Sequence, residues 1–193
     1  LTPPPDVDAG ERVMELFRTF GPGYRWFVTL TAMLGSFVTL LTGTIINVAI
    51  PDVMGALGMT AEKAQWLSTG FLAATTVTML LNAWAVERLG MSHAYILSLL
   101  VFLGGSLLGG VANSGDVVIA SRVIQGAGSG MMAPMSMLII FQVFPPHRRG
   151  TAMGIFSVGV VLAHALGPVI GGMLEDNLSW RYVFFIAVPL TRI

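Results

Sequence analysis

The chain has 193 residues, of which 54% are hydrophobic and only 10% are charged. A soluble domain carries roughly 25% charged residues, so this composition excludes a water-soluble globule, whose surface would need more polar side chains. The formal net charge of zero argues against a nucleic-acid-binding protein, and the absence of Cys excludes disulfide scaffolds, iron–sulfur sites and thiol chemistry. We therefore expect an all-α membrane protein.

The amino-terminal segment is predicted to lie on the membrane surface. Apolar side chains recur at helical spacing between Asp6 and Phe20, which is typical of an amphipathic interfacial helix. The Gly-Pro-Gly at 21–23 would end that helix. We expect residues 1–23 to form a cytoplasmic amphipathic helix and linker, followed by a transmembrane bundle over residues 24–193.

Charged residues divide the rest of the chain into apolar runs of about the length, ~20 residues, that crosses ~30 Å of hydrocarbon. We predict six membrane-spanning helices, at about 26–50, 64–86, 93–112, 117–143, 150–174 and 180–193. The sixth would be incomplete, because it makes only about 21 Å of helix at ~1.5 Å per residue. Since the chain also begins with Leu1, we expect a piece of a longer polypeptide.

The distribution of arginine predicts the orientation in the membrane. The positive-inside rule places the amino terminus in the cytoplasm, because one side collects Arg12, Arg18, Arg25, Arg88, Arg148 and Arg149. The opposite side has only Lys63 and Arg181 as basic residues.

Small residues recur every fourth position in several spans. Gly-x-x-x-Gly pairs stand at 105/109, 126/130, 150/154 and 167/171. In the fifth span a stripe of Gly159, Ala163, Gly167 and Gly171 is interrupted by Pro168 and followed by Gly172. Such residues allow close helix packing, and the proline beside them indicates a helix that can also bend and slide against its neighbour.

Polar side chains form stripes along the first two spans. Ser36, Thr39 and Asn47 fall on one face of the first span, and Ser68, Thr75 and Asn82 repeat every seven residues in the second. These faces should point to a cavity or to each other. The alternative is that the hydroxyl groups bond back to their own helix.

Two ionisable side chains lie within spans. Arg122 lies ~9 Å inside the fourth span, with Gln125, Gly126 and Ser129 on the same face. We expect it to face the bundle interior with a partner, and snorkelling to the interface is the alternative. His164 lies near the middle of the fifth span. It is either a packing residue or a proton carrier, because histidine alone titrates near neutral pH when unperturbed.

Signatures of soluble enzymes are absent from the sequence. It contains no Gly-x-x-x-x-Gly-Lys phosphate loop, no His-Glu-x-x-His and no Gly-x-Ser-x-Gly. No grouping of His and carboxylates suggests a metal site. We expect neither an enzyme nor a bound cofactor.

Four motifs in chain order carry a family resemblance. They are Thr44-Ile-Ile-Asn47-Val-Ala49-Ile-Pro51, Asn82-Ala-Trp-Ala-Val-Glu87-Arg88-Leu-Gly90, Arg122-Val-Ile-Gln125-Gly126-Ala-Gly-Ser-Gly130 and Gly167-Pro168-Val-Ile-Gly171-Gly172. Over about residues 20–190 the chain resembles the major facilitator superfamily. The resemblance is to the amino-terminal half of its fourteen-span drug/proton antiporters of the EmrB/QacA type.

The resemblance implies a six-span bundle of two inverted three-span repeats that works by alternating access. It implies proton-coupled efflux of hydrophobic small molecules. We assign proton coupling to Arg122, Gln125 and His164, and the substrate cavity to Ser36, Thr39, Thr42, Asn47, Ser68 and Thr75. The conformational motif residues are Asn82, Glu87, Arg88, Gly90, Gly126, Gly130, Gly159, Gly167, Pro168, Gly171 and Gly172.

The chain departs from the family at one position that bears on proton coupling. The family has an acidic residue where Thr42 stands, and no Asp or Glu falls within any predicted span of this chain. Other departures are Ala83 and Glu87 in place of the usual Gly and Asp of the second motif.

The expected surroundings are those of a multi-pass protein of the bacterial cytoplasmic (inner) membrane. The expected partners are protons, a hydrophobic substrate, the lipid bilayer and either a missing carboxy-terminal bundle or a second copy. A periplasmic adaptor is a further candidate, and nucleic acid is not. The alternative function is a half-size membrane protein that works as a homodimer or as a partner subunit.

Overall fold

A computed structural model describes residues 23–177 and 179–185 of the chain. Its helices are α1 (Gly23–Leu57), α2 (Ala61–Ala64), α3 (Trp66–Leu80), α4 (Asn82–Leu89), α5 (Met91–Gly110), α6 (Gly115–Val143), α7 (Pro146–Asn177) and α8 (Tyr182–Phe185). No strand occurs in this part of the chain. The expected all-α membrane fold is confirmed. The predicted amphipathic helix at 6–20 and the end of the sixth span lie outside the described residues.

Four helices are long and apolar enough to cross a membrane: Val28–Leu57, Met91–Gly110, Gly115–Val143 and Pro146–Leu174. They correspond to the predicted first, third, fourth and fifth spans. The second span is Ala61–Leu80 followed by Asn82–Leu89, with a bend of 53° between them. The described residues thus contain four spans, or five when the bent pair counts as one, and α8 stands where the sixth would begin.

The bend in the second span contains neither glycine nor proline. Thr75, Thr76 and Thr78 each donate a hydrogen bond to a carbonyl of the preceding turn, at 2.8–2.9 Å. Such bonds compete with the helical ladder and bend helices. The amide of Leu81 is shared between the carbonyls of Val77 and Thr78, at 3.3 and 3.1 Å, so the ladder loosens where α3 gives way to α4.

Helix α6 occupies the centre of the bundle. It packs against α1, α3 and α5, and α7 packs mainly against α1. Three of the predicted Gly-x-x-x-Gly pairs lie at these contacts, and the exception is Gly150 and Gly154, around which a Cβ would meet nothing within 4 Å.

The connections at one end of the bundle are tied together. Lys63 of α2 forms an ion pair with Asp116 of α6 at 2.7 Å. Arg181, just before α8, donates to the carbonyls of Gly110 and Ala112 at 3.3 and 2.8 Å. Phe184 of α8 lies directly against Gly109 of α5. Residues 179–185 are therefore held on α5.

Candidate functional site

The side chain of Arg122 is fully enclosed by the bundle, with 0% of its surface exposed. Its Nε donates to the carbonyl of Leu67 in α3 at 3.1 Å. Its Nη1 donates to the carbonyl of Thr42 in α1 at 3.4 Å and to Gln125 Oε1 at 2.7 Å. The guanidinium carbon lies 4.2 Å from the centre of the Phe71 ring. The expectation of an interior position is met, and partners on α1 and α3 hold the charge there.

Gln125 extends this network to a further span. Its Nε2 donates to the hydroxyl of Ser106 in α5 at 2.7 Å. Because Gln125 Oε1 accepts from Arg122 at the same time, one chain of hydrogen bonds joins α1, α3, α5 and α6. We call Arg122, Gln125 and Ser106, with the carbonyls of Thr42 and Leu67, the arginine network.

Among the described residues, the charge in this network has no ionic partner. No carboxylate of the described residues lies within ion-pair distance of Arg122, and its Nη2 is buried without a hydrogen-bond partner. A charged side chain in the middle of a membrane costs a few kcal/mol even on lenient insertion scales. Carbonyl dipoles, one amide oxygen and a ring face offset part of that cost, and the positive charge itself remains.

Glycine lets α6 approach its neighbours closely enough to form the network. A Cβ at Gly126 or Gly130 would collide with the carbonyl oxygen of Phe71 or Thr75 in α3. On the opposite side of α6, a Cβ at Gly128 would lie 2.6 Å from the carbonyl oxygen of Ser98 in α5. Both contacts involve backbone atoms, which cannot rotate away as a side chain can, so only glycine fits.

A second close interface joins α1 to α7. A Cβ at Gly167 would meet the hydroxyl of Thr44, and one at Gly171 would lie 3.0 Å from Ile45 Cγ1. Ala163 is fully buried on the same side of α7. Gly159 is less constrained, because its Cβ would make only an ordinary contact of 3.5 Å with Met33.

The predicted cavity residues fall into two groups in the structure. Ser36, Thr39 and Thr42 are buried in α1. The hydroxyl of Ser36 bonds to that of Ser136 in α6 at 2.8 Å, whereas Thr39 and Thr42 donate to their own helix at 2.9 and 2.8 Å. This group lies within or between packed helices.

The second group lies nearer the surface. Asn47 is exposed and accepts a hydrogen bond from Ser68 at 2.8 Å, which pairs the first span with the second. Thr75 is half-buried between α3 and α6, with its hydroxyl 3.0 Å from that of Ser129. Asn47 and Ser68 are therefore the cavity candidates that a ligand can reach in this conformation.

His164 lies apart from the arginine network, on the exposed surface of α7. Its Nδ1 is 2.9 Å from the carbonyl of Val160. A carbonyl can only accept, so Nδ1 carries the hydrogen and Nε2 of the neutral ring is left as a free acceptor. Pro168 has no N–H, so the carbonyl of His164 also lacks its helical donor. The three proton-coupling candidates thus divide into a buried pair and an exposed histidine.

The motif residues of the second span surround its bend and the turn that follows. Asn82 is buried directly after the bend, and its Oδ1 has no hydrogen-bond partner. Glu87 and Arg88 are exposed at the end of α4. Gly90 has φ 76°, a left-handed conformation that favours glycine, and so allows the tight connection from α4 to α5.

Several contacts of the arginine network were not anticipated from the sequence, although Thr42 itself was predicted as a cavity residue. Leu67 and Thr42 contribute backbone carbonyls, which no side-chain pattern reveals. Ser106 directly follows Gly105, the first glycine of the 105/109 pair. Its place beside a predicted packing residue was the available signal. Within residues 23–177 and 179–185, no group of three His, Cys, Asp or Glu could hold a metal ion.

Comparisons with known proteins agree with this architecture. Residues 32–193 match the Major Facilitator Superfamily. The multidrug export protein EmrB of Haemophilus influenzae is 36% identical over 163 residues, which are 84% of this chain and 32% of that protein. EmrB of Escherichia coli is 34% identical, again over 84% of this chain and 32% of its own length. The chain therefore spans about a third of these relatives.

A solved structure shows a similar fold at low sequence identity. The inward-open xylose transporter XylE of E. coli superposes with a TM-score of 0.72 at 16% identity. The superposition covers 88% of this chain and 47% of that protein.

Proposed function

The chain belongs to the major facilitator superfamily, and on that premise we propose that it is the amino-terminal bundle of a proton-coupled antiporter that exports hydrophobic compounds of several chemical classes. Support comes from the two relatives named as multidrug export proteins, each matched over 84% of this chain. The observation that carries the proposal is the arginine network, a buried charge that ties four spans together. Intramembrane charges are retained for function because their insertion is costly.

In this proposal the arginine network couples the spans to one another. Arg122 stays protonated, because guanidinium does not lose its proton in proteins. Its part is therefore to hold α1, α3 and α6 in one arrangement and to act by its charge on other groups. His164 is the proton carrier we propose within this bundle, with Nε2 as the atom that accepts the proton.

The test uses the full-length protein in everted membrane vesicles. Export of a hydrophobic fluorescent compound should depend on an imposed pH gradient and should stop when nigericin collapses that gradient. Export that is unaffected by nigericin would refute proton coupling.

Two substitutions assign the roles within the bundle. His164→Asn should uncouple export from the pH gradient while leaving abundance in the membrane unchanged, because within this bundle the side chain is exposed and its Nδ1 bonds to its own helix. Ser157→Ala, seven residues earlier on the same exposed face of α7, is the matched control and should export normally. Arg122→Lys keeps the charge but loses the planar fork, and we expect at least a tenfold loss of export. Full coupling in His164→Asn or normal export in Arg122→Lys would refute the corresponding role.

We further propose that a second bundle covers one exposed face of α7. Bulky side chains on one exposed side, Val158, Leu162 and Val169, are 48–60% exposed and suit lipid. The adjacent side presents mainly small or polar residues around Val161, which is 66% exposed. They are Gly150, Gly154, Ser157, His164, Pro168 and Gly172. Nothing lies within 4 Å of a Cβ at three of these glycines, and close backbone approach is the use such residues have in membranes.

The covering bundle is either the remainder of a longer chain or a second copy of this one. We favour the longer chain, because the relatives are about three times as long. The 193 residues contain no Cys, so Gly154→Cys introduces a single thiol into this part of the protein. In the full-length protein, after removal of any other Cys, it should form no disulfide between copies. Val158→Cys, on the bulky face, is the control. A dimer specific to Gly154→Cys would favour the second copy and the half-size alternative.

A cytoplasmic amino terminus is part of the same proposal. Thr60 lies in the connection between α1 and α2, and Ser92 lies in the first turn of α5, at the opposite end of the bundle. In intact cells a membrane-impermeant thiol reagent should label Thr60→Cys and spare Ser92→Cys, and the reverse pattern would contradict the orientation.

A further inference from the structure

The apolar part of this bundle carries an uncompensated positive charge. Arg122 is fully buried, and the acidic side chains whose exposure the structure describes, Asp52, Glu62, Glu87 and Asp116, are not buried. One of them, Asp116, already pairs with Lys63. Within the bundle the charge of Arg122 is met only by dipoles and by the Phe71 ring.

One guanidinium nitrogen indicates that this compensation is incomplete. Nη2 is buried and has no acceptor. A buried donor of a charged group is normally satisfied by an acceptor. Because this one is not, the electrostatic potential around the guanidinium is positive.

This charge is close enough to act on a ligand that lies against α1 or α3 beside Arg122. Arg122 is enclosed by α1 and α3, and a helix with its side chains is roughly 10 Å across. Two unit charges ~10 Å apart, at the effective dielectric constant of about 20 that suits protein sites, change an equilibrium constant by on the order of tenfold. Direct contact with Arg122 is not required for that effect.

We propose that this bundle selects lipophilic monoanions, such as aromatic carboxylates, over neutral compounds of the same shape and disfavours monocations, with Arg122 as the specificity-determining residue. The inference rests on the proposed export function and adds to it the charge class of the substrate.

The experiment measures equilibrium binding to the full-length protein in detergent, so that membrane potential does not contribute. Three probes share one aromatic skeleton and differ in charge: 2-naphthylacetate, 2-naphthylacetamide and (2-naphthylmethyl)trimethylammonium. Each competes with a neutral fluorescent compound that the protein exports. We expect half-inhibition by the anion at about a tenfold lower concentration than by the amide, and by the cation at about a tenfold higher one. Equal values for the three probes would overturn the inference.

A matched pair of variants tests whether Arg122 is responsible. The carbonyl of Thr42 is 3.4 Å from Nη1, so Thr42→Asp adds a carboxylate at a residue adjoining the guanidinium, whereas Thr42→Asn adds an uncharged side chain of the same size. Thr42→Asp should reduce the preference for the anion to less than about threefold, and Thr42→Asn should keep it. Identical selectivity in the two variants would overturn the assignment to Arg122.

Arg122→Gln removes the charge directly but also removes contacts to two other spans. The Thr42 pair keeps those contacts and is therefore the deciding measurement. If the protein exports no hydrophobic compound at all, the proposed function fails. If the neutral reporter is exported but the three probes compete equally, only the inference on charge fails.

Discussion

Gly126→Ala is expected to destabilise the protein by forcing α3 and α6 apart. The added methyl group would collide with the carbonyl oxygen of Phe71 and would stand 3.0 Å from that residue's Cα and carbonyl carbon, whereas ordinary contacts are 3.4–4 Å. The two backbones must therefore separate by several tenths of an ångström. The bond from Arg122 Nε to Leu67, at 3.1 Å, spans the same interface and lengthens with it.

The magnitude follows from three contributions. Overpacking costs about 1–3 kcal/mol, and strain on a charge-assisted hydrogen bond adds roughly 1 kcal/mol. Replacing glycine by alanine within a helix returns up to about 1 kcal/mol. Gly104→Ala, in the middle of α5, is the matched control, because it receives the same gain while nothing lies within 4 Å of its new Cβ. We expect Gly126→Ala to be less stable than Gly104→Ala by about 2–4 kcal/mol.

The assay is unfolding of the full-length protein by SDS in mixed micelles, followed by tryptophan fluorescence. Both variants are compared with the unsubstituted protein at equal micelle composition. If the two variants agree within about 1 kcal/mol, α3 and α6 are not in close backbone contact and the reasoning fails.

Two further substitutions are expected to affect stability to different degrees. Ser136→Ala removes bonds of 2.8 Å to the hydroxyl of Ser36 and to the carbonyl of Ala32, at a cost of about 1–2 kcal/mol. A double-mutant cycle with Ser36→Ala should show coupling, and strict additivity would argue against the pair. Lys63→Gln should cost less than about 1 kcal/mol, because Lys63 and Asp116 are 42% and 80% exposed. A larger loss of stability in the same SDS titration would mean that this ion pair holds α2 against the start of α6 and would contradict the small cost expected.

Much of the framework follows from the sequence. Stretches without charge predict where helices cross the membrane, because the insertion cost of each charge acts locally along the chain. The cost of a charge in lipid also predicts that Arg122 faces inward. The glycine pairs 126/130 on α6 and 167/171 on α7 were recognisable because small residues four positions apart allow close helix packing in a membrane, whereas the pair 150/154 makes no such contact in the described residues.

Other features depend on the register between helices, which a single sequence does not contain. Asn47 and Ser68 were both expected to face a cavity, but their pairing is set by how α1 and α3 align. The carbonyls that bind Arg122 belong to Thr42 and Leu67, and a backbone acceptor leaves no trace in residue type. The bend at Leu81 contains no Gly or Pro and arises from several threonines acting together.

The arginine network also has a consequence for how the protein is made. Every group outside α6 that binds Arg122 or Gln125 precedes the fourth span in the chain: Thr42, Leu67, Phe71 and Ser106. By the time Arg122 emerges from the ribosome, the first three spans have already emerged. The fourth span therefore enters a membrane that already contains the acceptors for its charge. Because the spans are inserted from the amino end to the carboxyl end, Arg122 need not be exposed to lipid without hydrogen-bond partners.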